Sequence, residues 1–331
     1  MSEGEAPDFR PGRMSTADHS RIAWCDATWN PVSGCSKVSS GCAHCYAEAI
    51  SHRFGWTTQP WAAPHAADNV RCHADRLDEP RHWRRPRRVF GNSMSDLFHD
   101  QVPDSFLDQV FAVMALTPRH TFQILTKRPQ RMRDYLMDPQ TVVRMAYAID
   151  RLDNPSGRDT LAPVGQEAQS WPLPNVWLGV SVEDQRRANE RIPLLLQTPA
   201  ALRFVSCEPL LDALDLTEIN GESALDPICW GDCACDSVYG YDPGCVRHGG
   251  AGHLTRHIDW VIVGAESGSK ARPMEDDWVR SLRDQCIEAN VSFFFKQRVD
   301  TAGHKDQQPV LDGHIWKNYP AAKLNPLRRE R

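Results

Sequence analysis

Cys35, Cys42 and Cys45 stand in a C-x6-C-x2-C spacing inside TWNPVSGCSKVSSGCAHCYAEAI, residues 28–50. Three thiolates on one short loop suit a soft metal centre: the pair separated by two residues wraps one side, and the third closes from the loop. Gly34 and Gly41 each precede one of these cysteines, where the lack of a Cβ lets the backbone turn sharply or approach a bulky ligand. A helix can begin just after Cys45, at Tyr46. The number three narrows the chemistry without settling it. A structural zinc takes four protein ligands, and the nearby candidates for a fourth are Cys25, His44 and His52. A four-iron four-sulfur cluster held by three cysteines keeps one iron open to a small molecule. The same spacing also fits three packed cysteines that hold nothing.

A second group, CWGDCACDSVYGYDPGCVRHGGAGH (229–253), sets Cys229, Cys233, Cys235 and Cys245 within seventeen residues, followed by His248, His253 and His257. Four thiolates separated by glycine turns can close a tetrahedral site without a hydrophobic core. This group reads as a structural zinc site, as an auxiliary iron–sulfur cluster, or as a thiol-rich loop. The C-x3-C-x-C start leaves open which atoms ligate, with His248 among the candidates.

Eleven cysteines with no export signal argue against a disulfide framework, because the cytosol keeps thiols reduced. The opening MSEGEAPDFRPGRM is too polar for a secretory signal, and no apolar run approaches the ~18 residues of a membrane-spanning helix. A cytoplasmic protein with no membrane partner is expected. The net charge of −5 gives no global attraction to nucleic acid. A local basic run does exist: Arg76–Arg88 carries six arginines around Trp83, and Arg81–Arg88 is its candidate nucleic-acid surface, although Asp75, Asp78 and Glu79 dilute its start.

The elements that must position these groups alternate. Strands are predicted over 87–94, 120–126, 175–182, 202–208, 259–266 and 291–297, mostly as continuous apolar runs of the kind that cover both faces of a buried strand. Helices are predicted over 103–116, 275–290 and Asp184–Leu196, with Pro193 expected to bend or end the last. Repeated strand, helix, strand order predicts parallel pairing through right-handed crossovers, hence an α/β barrel or an open doubly wound sheet. Every predicted strand ends in charged or hydroxyl groups, among them Asp96, Lys127, Ser181, Glu183, Ser206, Glu208, Glu266 and Lys296. In a barrel these would converge on the rim where such folds place their chemistry. Residues 151–174 read as a surface loop. The domain reading is a polar tail over 1–20, an α/β core over 21–220 and 258–300, a Cys/His-rich metal-binding insert over 221–257 and a C-terminal extension over 301–331. Cys207, in a strand beside Glu208, reads as a buried inert thiol.

The loop GCSKVSSGCAHCY with the pattern that follows resembles the radical S-adenosylmethionine enzymes, whose usual loop is C-x3-C-x2-C. Here three extra residues separate the first two cysteines, and His44 replaces the usual aromatic. More narrowly, TWNPVSGC, SMSDLFH, FQILTKRP, VWLGVSVE, RFVSCEPL, WVIVGAESG and FFFKQ resemble a phage-associated three-cysteine-motif family of unassigned activity, from about Trp24 to Gln297. The kinship implies a partial (βα) barrel of about six parallel strands with a Cys-rich insert, and a 4Fe-4S cluster on Cys35, Cys42 and Cys45. It also implies S-adenosyl-L-methionine as cofactor, reductively cleaved to a 5′-deoxyadenosyl radical that takes hydrogen from a substrate not named by the sequence, with an electron donor as partner. Cofactor positions follow from it: Glu183 or Glu266 for the ammonium or ribose hydroxyls, and Lys127 or Arg128 for the carboxylate. GAESG (264–268) resembles the glycine-glycine-acid element of those enzymes but lies late in the chain. The rival reading is a metal-stabilised, non-catalytic module that binds nucleic acid.

Overall fold

All six apolar runs become strands in the computed structural model, which describes residues 20, 22–153, 171–226, 256–268, 270–300 and 304–321. They are β2 (Arg88–Gly91), β3 (Thr121–Thr126), β4 (Val176–Ser181), β5 (Leu202–Cys207), β6 (Trp260–Gly264) and β7 (Ser292–Val299). A three-residue strand, β1 (Ala27–Trp29), precedes them at one edge, and β8 (Lys305–Asp306) closes the other. Neighbours from β1 to β7 follow chain order and run parallel, whereas β8 is antiparallel to β7. The result is a mixed α/β fold on an open, largely parallel sheet of eight strands.

The helices occupy the crossovers. α1 (Tyr46–Arg53) follows the cysteine loop, α2 (Asp104–Leu116) links β2 to β3, and α3 (Pro129–Met137) with α4 (Pro139–Asp153) follows β3. α5 (Gln185–Gln197) joins β4 to β5, and α6 (Asp276–Glu288) precedes β7. Pro193 neither ends α5 nor leaves a backbone acceptor stranded. The Asn189 carbonyl, whose helical donor a proline removes, accepts instead from Asn220 Nδ2 at 3.0 Å.

Alternate residues of each strand face two different cores. Val89, Ile124, Leu178, Val205, Val261 and Phe295 are buried in the larger core, which includes apolar residues of α2, α5 and α6. Phe90, Phe204, Trp260, Ile262 and Phe294 gather with Trp24 in the other. The Trp24 ring lies 4.5 Å from Phe90 on β2, 6.2 Å from Phe204 on β5 and 6.1 Å from Trp260 on β6. In a flat sheet β2 and β5, three positions apart, would be about 14 Å from each other; their side chains reach one indole because the sheet curls around it. Gly179 on β4 makes room for this filling, since a Cβ there would lie 2.5 Å from the Phe204 ring.

Ala224 and Leu225 pack in the larger core, and Tyr319 packs against Trp260 and Phe294. The second cysteine group, Cys229, Cys233, Cys235, Cys245 and His248, lies outside the described residues, as does most of the predicted 151–174 loop. Among the described residues no helix is long and apolar enough to cross a membrane.

Candidate functional site

With Trp24 filling the inside of the curl, space remains above it. A cavity of about 510 Å³ opens where the parallel strands end, and all three of Cys35, Cys42 and Cys45 line it. The cysteine loop leaves β1, runs through a short antiparallel pairing of Val32–Ser33 with Arg71–Cys72, and ends at α1. Gly34 has φ +79°, and a Cβ there would sit 1.9 Å from the Asn69 carbonyl oxygen. A Cβ at Gly41 would sit 2.3 Å from Glu183 Cγ. Both glycines therefore admit protein atoms against the loop.

Arg128 holds the first cysteine. Its Nη1 donates to Cys35 Sγ (3.5 Å) and Asp96 Oδ2 (3.1 Å), and its Nη2 donates to the carbonyl and the hydroxyl oxygen of Ser36, each at 3.0 Å. Asp96 is held in turn: Oδ1 accepts from Thr126 Oγ1 (2.7 Å) and the Phe98 N–H, and Oδ2 accepts from the Lys127 N–H. His99 Nδ1 accepts from the Gln101 N–H, which leaves Nε2 to donate to Ser36 Oγ at 2.9 Å. Burial, followed by the Asp96 charge, pushes the Cys35 thiol up to about 12 against the pull of Arg128. Burial also raises Cys45, opposed by the Glu48 and Ala47 amides at the start of α1. A metal would have to displace these protons.

The second grip on the loop is Glu183, which is fully buried. It accepts from Ser39 Oγ at 2.6 Å and from Arg191 Nη1 at 3.0 Å, and Lys127 Nζ is 3.7 Å away. The third is Glu266, which pairs with Arg272 and lies 3.0 Å from His44 Nδ1. Burial opposes its charge, yet the hydrogen bonds from Arg272 and His44 hold its carboxyl down to about 2. Arg272 also donates to the Ser40 carbonyl, so this pair clasps the loop from β6.

The four sequence-predicted cofactor residues thus separate. Lys127 and Glu266 face the cavity. Arg128 lines it but is committed to Cys35, Ser36 and Asp96, and Glu183 stands behind the loop as a support. Of the three candidates for a fourth metal ligand, Cys25 donates to Ser20 Oγ (3.2 Å) and His52 is exposed in the last turn of α1, whereas His44 lines the same cavity and meets Glu266 through Nδ1. Among the described residues no three His, Cys, Asp or Glu side chains are arranged around a single ion. Three thiols on one cavity wall are a donor set that a cluster with one open iron can use, whereas a structural zinc requires a fourth protein ligand.

Sequence reasoning marked Asp96, Glu208 and Lys296 only as polar strand ends; the structure makes the first the hub of the Cys35 support and pairs the other two at 2.6 Å. Cys207 is fully buried, and burial pushes its thiol well above the usual range. The arginine run lies at the start of β2, at the opposite end of the sheet from the cavity. Arg81 pairs with Asp78 and Asp153, and Arg88 with Asp26. Arg87 lies over the Trp83 ring, while Arg84 and Arg85 are exposed.

No curated protein and no solved structure matches this chain. The family model described as Protein of unknown function (DUF5131) matches residues 19–320, nearly the whole chain, and the protein belongs to that family.

Proposed function

We propose that this chain is an iron–sulfur protein of the radical S-adenosylmethionine type, with Cys35, Cys42 and Cys45 as ligands of a 4Fe-4S cluster and S-adenosylmethionine as cofactor. One observation carries the reading: three thiols of a single loop reach the wall of one cavity at the ends of parallel strands. The resemblance of that loop to the radical enzymes supports it. When bound and reduced, such a cluster supplies one electron to the sulfonium, whose cleavage yields the hydrogen-abstracting radical.

The chain's own residues have definite tasks in this reading. Arg128, Ser36 and Asp96 hold Cys35 in place, while Glu183 and the Glu266–Arg272 pair fix the loop between Ser39 and His44. Lys127, at the cavity wall with its side chain 20% exposed, offers the cation for a cofactor carboxylate. Glu266, kept ionised by Arg272, offers an acceptor for an ammonium or a ribose hydroxyl. The apolar filling beneath the cavity, headed by Trp24, excludes water from below.

Anaerobic reconstitution tests the proposal. The expected result is about four irons and four sulfides per first site, and 5′-deoxyadenosine on addition of reductant and S-adenosylmethionine; Cys42→Ala abolishes both. A colourless protein that binds only zinc after anaerobic reconstitution refutes it.

A further inference from the structure

The half of the cavity facing away from the cysteine loop has a chemistry of its own. Ser181 on β4 and Ser206 on β5 are direct neighbours across the ladder, about 4.8 Å apart in strand spacing. Both line the cavity, are 3% and 1% exposed, and form no side-chain hydrogen bond with any described residue. Their hydroxyls open to the cavity and are available to a group bound there. Two residues beyond Ser206, Glu208 receives Lys296 Nζ on both carboxylate oxygens, at 2.6 and 2.7 Å. This pair joins β5 to β7 across β6, over Gly264, where a Cβ would already lie 3.5 Å from Glu208 Cδ and from Lys296 Cβ. The third N–H of Lys296 is left to donate.

Charge in the cavity is unbalanced. Asp96 is paired with Arg128, Glu266 with Arg272 and Glu208 with Lys296. Lys305, from β8, lines the same cavity and forms no ion pair with any described carboxylate. Burial and the Lys296 charge push its ammonium below the usual lysine range, against the pull of Glu208, so the two lysines share one field.

We propose that Ser181, Ser206, Lys296 and Lys305 form a subsite for an anionic group, a carboxylate or a phosphate monoester, carried by the substrate. Two hydroxyls and an ammonium supply convergent donors for its oxygens, Glu208 holds Lys296 in place, and Lys305 balances the charge from the mouth. Its role as a substrate site rests on the radical-enzyme reading; anion binding can be measured without a cluster.

The full-length protein is titrated with inorganic phosphate and, separately, with acetate, at ionic strength held constant with chloride, while the midpoint of thermal unfolding is followed. A saturable rise that chloride does not produce is expected; a larger response to phosphate assigns a phosphate monoester, and a larger response to acetate a carboxylate. Ser181→Ala/Ser206→Ala is expected to weaken binding about tenfold, and Lys305→Gln, on the two-residue edge strand β8, by a similar factor. No response beyond that of chloride, or unchanged affinity in Lys305→Gln, overturns the subsite. Absence of 5′-deoxyadenosine formation with anion binding intact overturns the radical reading and leaves the subsite standing.

Discussion

Removing Glu183 tests whether the cysteine loop is held from behind. In Glu183→Ala the Arg191 guanidinium, only 4% exposed, loses the carboxylate 3.0 Å away and keeps only the Ser181 carbonyl at 2.7 Å. Breaking a buried pair in this way costs about 3–5 kcal/mol, because one charge stays buried without compensation. That is a large part of the 5–15 kcal/mol that holds a typical domain together. Ser39 Oγ simultaneously loses its 2.6 Å acceptor, and a hydrogen bond to a charged group is worth about 1.5–3 kcal/mol. Opening of the loop should therefore become about tenfold to a hundredfold more frequent. Urea unfolding reads the first effect, and the alkylation rate of Cys42, followed on its peptide by mass spectrometry, reads the second. Glu183→Ala/Arg191→Met should regain part of the stability, since the stranded charge is gone, without slowing alkylation of Cys42. A loss below about 1 kcal/mol together with unchanged Cys42 alkylation would show that Glu183 does not brace the loop.

Two other outcomes follow from the same clasp. Glu266 ionises near 2 when folded and near 4.5 when unfolded, so its contribution is complete above pH 4.5 and fades as pH falls towards 2. About 1–3 kcal/mol should be lost across that window, and Arg272→Met should flatten the decline in urea midpoints between pH 5 and 3; a parallel decline in the variant removes the pair from the account. Gly34→Ala places a Cβ 1.9 Å from the Asn69 carbonyl oxygen at φ +79°, which costs about 1–3 kcal/mol from the backbone conformation alone. A thermal midpoint within a degree of wild type contradicts that geometry.

Much of the fold was legible because its strands are covered on both faces and so must be apolar throughout. The runs at 120–126, 175–182 and 202–208 coincide with β3, β4 and β5 to within one residue at each end. β1 escaped detection: three residues, Ala27–Trp29, carry no period, and only pairing with β2 makes them a strand. Pro193 misleads for a related reason, because the partner that satisfies the Asn189 carbonyl, Asn220, lies 31 residues away.

Local order along the chain determined which groups lie at the strand ends and that three cysteines share one loop, since both follow from apolar periodicity and spacing. Which of those polar groups face the cavity and which brace it was decided only in three dimensions. Lys127 and Arg128 are adjacent in sequence, yet one faces the cavity, its Nζ 3.7 Å from Glu183, while the other is consumed by Cys35, Ser36 and Asp96. Glu183 and Glu266 look alike as strand-end acids, and Arg191 and Ser39 draw the first out of the cavity. Arg128 and Asp96 end neighbouring strands, but Ser39, on the loop after β1, reaches Glu183 at the end of β4, three strands away, because the sheet curls.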